Sequence, residues 1–163
     1  MDTPREPMFD NIVFTVAQLF RVRIAGLILV GDQRIFPKAE VGLVRPLWGS
    51  AAVLCRAVVD TGEPVMVEDA EGDPRFARVR SWEGGLRSCI AVPILGPDRQ
   101  VIGTLGAFDV VSRPMQQRFV GNLAQLAEQA SDLLQIRVPG LELEDRMRAA
   151  PGRAYRPGAA STG

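Results

Sequence analysis

Residues 86–111 read Leu-Arg-Ser-Cys-Ile-Ala-Val-Pro-Ile-Leu-Gly-Pro-Asp-Arg-Gln-Val-Ile-Gly-Thr-Leu-Gly-Ala-Phe-Asp-Val-Val. Two apolar runs, 86–95 and 100–111, are joined by Gly96-Pro97-Asp98-Arg99, where proline presets the first turn angle and aspartate suits the second. This is a β-hairpin. Side chains alternate along its second strand, so Thr104 and Gly106 share one face while Gly103, Leu105 and Ala107 share the other. Gly103 and Gly106 interrupt an otherwise apolar run, where glycine marks a bulge or a close approach of backbone or ligand. Packing accounts for Gly103. Alternation alone leaves open which face carries a pocket.

On the N-terminal side, Phe9, Ile12, Val13, Val16, Leu19 and Phe20 recur at helical spacing and predict a helix over 8–21. Residues 23–30 are short, branched and apolar, and Gly31-Asp32 stops them, which predicts a buried strand with a partner at 33–36. Residues 37–50 carry Pro37, Gly42, Pro46 and Gly49 and read as loop. A short helix comes next over 51–60, with Gly62 as its stop, then a brief strand at 64–67. Residues 68–85 are a second polar excursion.

On the C-terminal side, Ser112 is placed to cap a last helix with Pro114 in its first turn. Phe119, Leu123, Leu126, Ala127, Ala130, Leu133 and Leu134 give that helix an apolar face to about Arg137. Residues 138–163 drift into Pro, Gly, Ala and Arg and are expected to be mostly disordered. The domain is thus expected at 8–137, with a flexible stretch at 1–7. The element order gives an α+β fold with a mainly antiparallel sheet, the terminal helices on one face and the two excursions roofing the other. A ligand cavity is expected beneath that roof.

Composition excludes several functions. The 163 residues contain 19 basic and 19 acidic side chains, so no net charge draws the chain to nucleic acid or an anionic membrane. The apolar run 24–30 is far shorter than the roughly 20 residues a membrane-spanning helix needs. No secretory signal is read at the N-terminus, so a cytoplasmic location is expected. Histidine is absent, which removes Ser-His and Cys-His nucleophile pairs and histidine-ligated zinc or haem.

Residues 59–70, Val-Asp-Thr-Gly-Glu-Pro-Val-Met-Val-Glu-Asp-Ala, and then Asp73-Pro74-Arg75-Phe76 resemble the middle of a GAF domain, where a Gly-x-Pro strand leads into an Asp-x-Arg-Phe turn. Ser88 to Ile94 with Ile102-Gly103-Thr104-Leu105 is similar to the family's paired strands. The resemblance covers about 8–137 and implies a GAF-like (PAS-like) sensory module. Such modules are usually dimeric through their terminal helices and act on kinases, cyclases or transcription factors. The ligand, and any cofactor, is left unknown by the resemblance. The Asn-Lys-Phe-Asp-Glu signature of cyclic-nucleotide members and the Cys-His neighbours of bilin-binding members are both missing. With no output domain in this chain, a signal is expected to leave through a partner protein.

The expected pocket is Phe36, Trp48, Cys55, Phe76, Trp82, Cys89, Thr104 and Gly106, with no catalytic or metal-binding residue. Four of these are aromatics in or beside the excursions, where they either plug the roof or touch a ligand. Cys55 and Cys89 read as packing residues rather than a redox pair, since free cysteine is among the most buried residue types. A cysteine-dependent reductase of free methionine sulfoxide, also known in the family, is the enzyme alternative, but its Cys-rich surroundings are not reproduced here. A ligand-free dimerisation or scaffold module is the other alternative. Asp69, Asp73 and Asp109 suit turns and strand ends more than a cation site. Arg75, Arg78, Arg80 and Arg87 are more simply balanced by their acidic neighbours than free to hold an anion. A homodimer is expected because Val120, Ala124 and Ala127 flank the Phe119, Leu123 and Leu126 face.

Overall fold

Pro7 opens the first helix, α1 (Pro7–Phe20), because its fixed φ suits the first turn, where no partner for its missing N–H is needed. The computed structural model of the chain describes residues 6–32, 34–76 and 85–137. Arg78, Arg80 and Trp82, the segment 1–5 and the tail 138–163 lie outside the described residues. Phe9, Ile12, Val13, Val16 and Ala17 form the buried face of α1. Arg21 closes it in the left-handed conformation (φ 54°). Leu19 was expected in that stripe but is exposed, as is Phe14, because the turn of the helix carries both outside the arc through Phe9, Val13 and Val16.

Five antiparallel strands, β1 (Ile24–Val30), β2 (Ile35–Val41), β3 (Val65–Val67), β4 (Ser88–Leu95) and β5 (Val101–Asp109), form one sheet in the order β2-β1-β5-β4-β3. Every residue of β1 is buried, because strands flank it on both sides and helices cover both faces. β2 runs five residues further than the partner expected at 33–36 and takes in Pro37, which sequence assigned to a loop. An edge strand can hold a residue without an N–H. Here the pairing also shifts between Leu27 and Ile28, which makes Lys38 the extra residue of a bulge. Lys38 Nζ is thereby brought to Glu6 Oε1 at 2.9 Å and sits 5.5 Å over the Phe9 ring.

The helix expected at 51–60 begins earlier, as α2 (Trp48–Thr61), after a 3-10 turn at Arg45–Leu47 that includes Pro46. Trp48 anchors the entry, its indole Nε1 donating to Leu43 O at 3.2 Å. Gly62 ends it in the left-handed region, as expected. The helix expected to start at Ser112 begins only at Arg118, as α3 (Arg118–Arg137). Residues 112–116 are instead strapped back towards β3, with Arg113 N and Met115 N donating to Glu68 O and Oε2 at 3.0 Å each. Met115 N, the donor that a capping Ser112 hydroxyl would accept, is taken by Glu68, so Ser112 is no cap and Pro114 lies outside the helix.

α1 and α3 share one face of the sheet, over Ala25, Leu27, Leu29, Ile90, Val92, Leu105 and Ala107. Phe20 and Phe119 meet edge to face at 5.5 Å between them. α2 covers the opposite face, over Ile24, Ile28, Cys89, Ala91 and Phe108. Ala127, expected to flank a dimer surface, is instead buried against the sheet within the protomer, while Ala124 is exposed. Among the described residues no helix is long and apolar enough to cross a membrane.

Candidate functional site

Three rows of side chains cross the central strands beneath α2. The first is Ile24, Phe108 and Cys89, the second Gly26, Gly106 and Ala91, and the third Ile28, Thr104 and Pro93. The middle row offers nothing larger than a methyl group, so the sheet surface dips there. Two neighbours fill the dip. A Cβ added to Gly106 would lie 2.6 Å from the Phe108 ring, and one added to Gly26 would lie 3.2 Å from the Ile28 side chain. Glycine at 106 is therefore what lets the Phe108 ring lie back along its own strand. Gly103 has a different reason: its Cβ would lie 2.3 Å from Ile28 O, so it permits the close approach of β1 and β5.

Cys55 descends from α2 onto the third row, where the Thr104 hydroxyl donates to its Sγ at 3.2 Å. Both cysteines are free thiols and fully buried. Burial pushes the Cys55 thiol up to about 12, against smaller downward pulls from the Thr104 hydrogen bond and the Arg56 charge. Burial likewise raises the Cys89 thiol well above its ordinary value, with Cys55 adding to the rise and Arg75 opposing it. Near neutral pH neither is a thiolate, which is the nucleophilic form.

Of the residues expected to form a pocket, Trp48, Cys55, Phe76, Cys89 and Thr104 are gathered on the α2 side of the sheet together with Gly106. Phe36 is not. It pairs with Leu29 and packs with the terminal-helix cluster, beneath the Arg34 guanidinium at 5.6 Å. Its face is set by the hairpin that pairs Ile35 with Val30 and Phe36 with Leu29, ahead of the bulge at Lys38. Trp82 lies outside the described residues. Sequence reasoning missed Phe108, Ile24 and Ile28. Phe108 had a signal, since strand alternation puts residues 104, 106 and 108 on one face.

The rim of the α2 face is charged and internally paired. Arg75 grips Asp73 through Nε and Nη2 at 3.1 and 2.8 Å and also donates to Met66 O, a carbonyl of edge strand β3. Arg87 holds both oxygens of Asp69, and its hydrogen bond lowers the Asp69 carboxyl below its ordinary range. The Arg75 hydrogen bond does the same for Asp73. Asp109 is taken by Arg113 at 2.7 Å. The two described arginines considered as ligand groups are therefore engaged with acidic neighbours, and each of the three aspartates with an arginine. Among the described residues no group of three His, Cys, Asp or Glu is placed to hold a metal ion.

The family model of the GAF domain matches residues 4–137. No curated protein sequence matches the chain. Among solved structures, a domain assigned to a two-component sensor histidine kinase protein of Sinorhizobium meliloti 1021 is 16% identical, with 90% of this chain and 99% of that one covered and a TM-score of 0.63. The GAF domain of an Acinetobacter phosphoenolpyruvate-protein phosphotransferase is 22% identical, over 78% of this chain and 79% of that one, at a TM-score of 0.60. The free methionine-R-sulfoxide reductase of Neisseria meningitidis, in complex with its substrate, is 20% identical, over 84% and 83%, at 0.61. At these identities the likeness is one of fold.

Proposed function

The chain belongs to the GAF domain family, and from that premise we propose that it is a non-catalytic sensory domain, binding a small molecule beneath α2 and signalling through dimerisation or a partner protein. The observation that carries the reading is the Gly26, Gly106 and Ala91 dip, into which the Phe108 and Ile28 side chains lean. The polar groups on the three rows and above them are the Thr104 hydroxyl, two protonated thiols and the Ser50 hydroxyl of α2, itself bonded to Leu47 O and Leu86 N, which suits a neutral, largely apolar ligand. Phe36 has no part in this pocket.

Native mass spectrometry of the purified protein tests for a retained molecule, and tryptophan emission tests its place. Trp48 belongs to the α2 cluster, so a bound ligand is expected to shift emission and Trp48→Phe to diminish the shift. A ligand confirmed by mass that leaves both tryptophans unmoved overturns this placement.

A second reading, a dimerisation or scaffold module without ligand, draws support from the same dip, because Phe108 and Ile28 already fill it. The likeness to a reductase raises an enzyme reading, against which the buried, protonated thiols count. A cysteine-dependent reductase would lose all turnover in Cys55→Ser or Cys89→Ser. The homodimer belongs to the main reading and rests on exposed Phe14 and Leu19 with half-buried Phe119, Val120 and Leu126. A strictly monomeric mass by light scattering at micromolar concentration removes it. A cytoplasmic location is part of the same reading, and cell fractionation tests it.

A further inference from the structure

Three stretches of the chain meet beside β3: the residues after β3, the start of β4, and the end of β5 with the segment that runs from it into α3. Arg87, just before β4, donates from Nε and Nη2 to the two oxygens of Asp69 at 2.9 and 2.8 Å. Its carbonyl accepts from Ala70 N at 2.7 Å, and its own N–H donates to Asp109 O at 2.8 Å. The Asp109 carboxylate, 2% exposed, accepts from Val110 N and from both Nε and Nη2 of Arg113, each at 2.7 Å. Arg113 N then donates to Glu68 O, and Met115 N to Glu68 Oε2. Glu68 and Asp69 are neighbours, so the chain of bonds closes into a ring.

We propose that this ring is a latch that makes residues 68–73 and 110–117 open and close as one unit, so that movement at the roof reaches the start of α3 without passing through the sheet. The use of that linkage for signalling rests on the sensory reading above; the linkage itself does not. β3 is only three residues long and is an edge strand paired on one side, so its ladder restrains residues 68–73 only weakly. The exposed Asp69–Arg87 pair by itself stabilises weakly. The Asp109–Arg113 pair differs, because removing one partner leaves a charge buried and unpaired. Residues 110–117 therefore cannot lift gradually. Either Arg113 stays on Asp109 and keeps Glu68 in place, or the pair parts, the Ser88 hydroxyl lets go of Val111 O (2.8 Å), and both segments are released. That gives two discrete arrangements, which coupling requires.

Hydrogen exchange of the full chain tests the latch and needs no ligand, so its outcome is separate from that of the sensory reading. Arg113 touches neither Asp69 nor the amides of residues 70–73. In Arg113→Gln those amides are expected to exchange about tenfold faster, in step with 110–117, while the turn between β1 and β2 is unchanged. Arg87→Gln is expected to do the converse at 113–117. Acceleration confined to each variant's own segment overturns the proposal, as does a uniform rise across the sheet. Should Arg113→Gln fold poorly, Arg113→Lys, which keeps the charge but loses the two-pronged grip, is read by the same criteria.

Discussion

The two faces of the sheet are both buried, yet they are filled in opposite ways. On the terminal-helix face, Leu27, Leu29, Leu105, Ile90 and Val92 rise from their own backbone positions to meet α1 and α3. On the α2 face, the centre is a row of Gly26, Gly106 and Ala91, and its volume is supplied sideways by Phe108 and Ile28. A core built from side chains standing over their own Cα atoms can be altered only by losing volume. One filled by a ring lying over a glycine can in principle be emptied by a rotation. That difference is why the ligand site is proposed on the α2 face.

The largest test of this contrast is Phe108→Ala. Loss of a fully buried phenylalanine is expected to destabilise by about 3–5 kcal/mol in urea unfolding. The space left is apolar, so benzene should restore part of the loss by occupying it. Phe9→Ala, an equally buried ring on the other face but one with the Lys38 ammonium 5.5 Å from its centre, should show the loss with less rescue, because the space left there borders a charge. Equal rescue in both would erase the distinction. Next in size is Gly106→Ala, whose methyl would meet the Phe108 ring and is expected to destabilise by about 1–3 kcal/mol. In the Phe108→Ala background that penalty should shrink to the part imposed by Ile90 O, 3.3 Å from the added Cβ, which a double-mutant cycle would read directly.

A smaller effect of opposite sign is expected at Gly121, inside α3, where an added Cβ meets nothing within 4 Å. Gly121→Ala should stabilise by about 1 kcal/mol in thermal unfolding, since alanine favours helix without disturbing a packed neighbour. No gain at all would mean that this outer surface is already engaged by another molecule. The smallest effect concerns the rim of the α2 face. Asp69 has a carboxyl lowered by Arg87, so it contributes stability above its unfolded pKa of about 3.9, and that contribution is lost as pH falls through its lower folded value. Acid titration of stability should accordingly be flatter below about pH 4 in Arg87→Gln than in the parent protein. An unchanged acid limb would show that the Asp69–Arg87 pair adds nothing in solution.

Much of this was legible in the residues themselves. The 9, 12, 13, 16 spacing placed α1, the turn at 96–99 placed the β4–β5 hairpin, and Gly62 ended α2. The alternation at 103–107 separated Thr104 and Gly106 from Leu105 and Ala107, and the structure puts those two sets against α2 and against the terminal helices respectively. The errors have a common physical origin. Pro37 breaks a strand only where both edges must pair, and no local pattern says that β2 lies at the sheet edge. Ser112 and Pro114 look like a helix start until Glu68, more than forty residues earlier, claims the amides around them.

The sequence by itself determined the element types, the fold class and the family resemblance, because periodicity, turn chemistry and motif order are local properties of the chain. Only the tertiary structure decided that β2 lies at the sheet edge, that Phe36 pairs away from the candidate site and that the Phe108 ring lies back over Gly106 to fill it. It also decided that Arg87 and Arg113 are spent on Asp69 and Asp109. Those outcomes depend on strand order, on strand pairing and on which distant carbonyls and carboxylates arrive within hydrogen-bonding distance. Such quantities exist only once the sheet has closed.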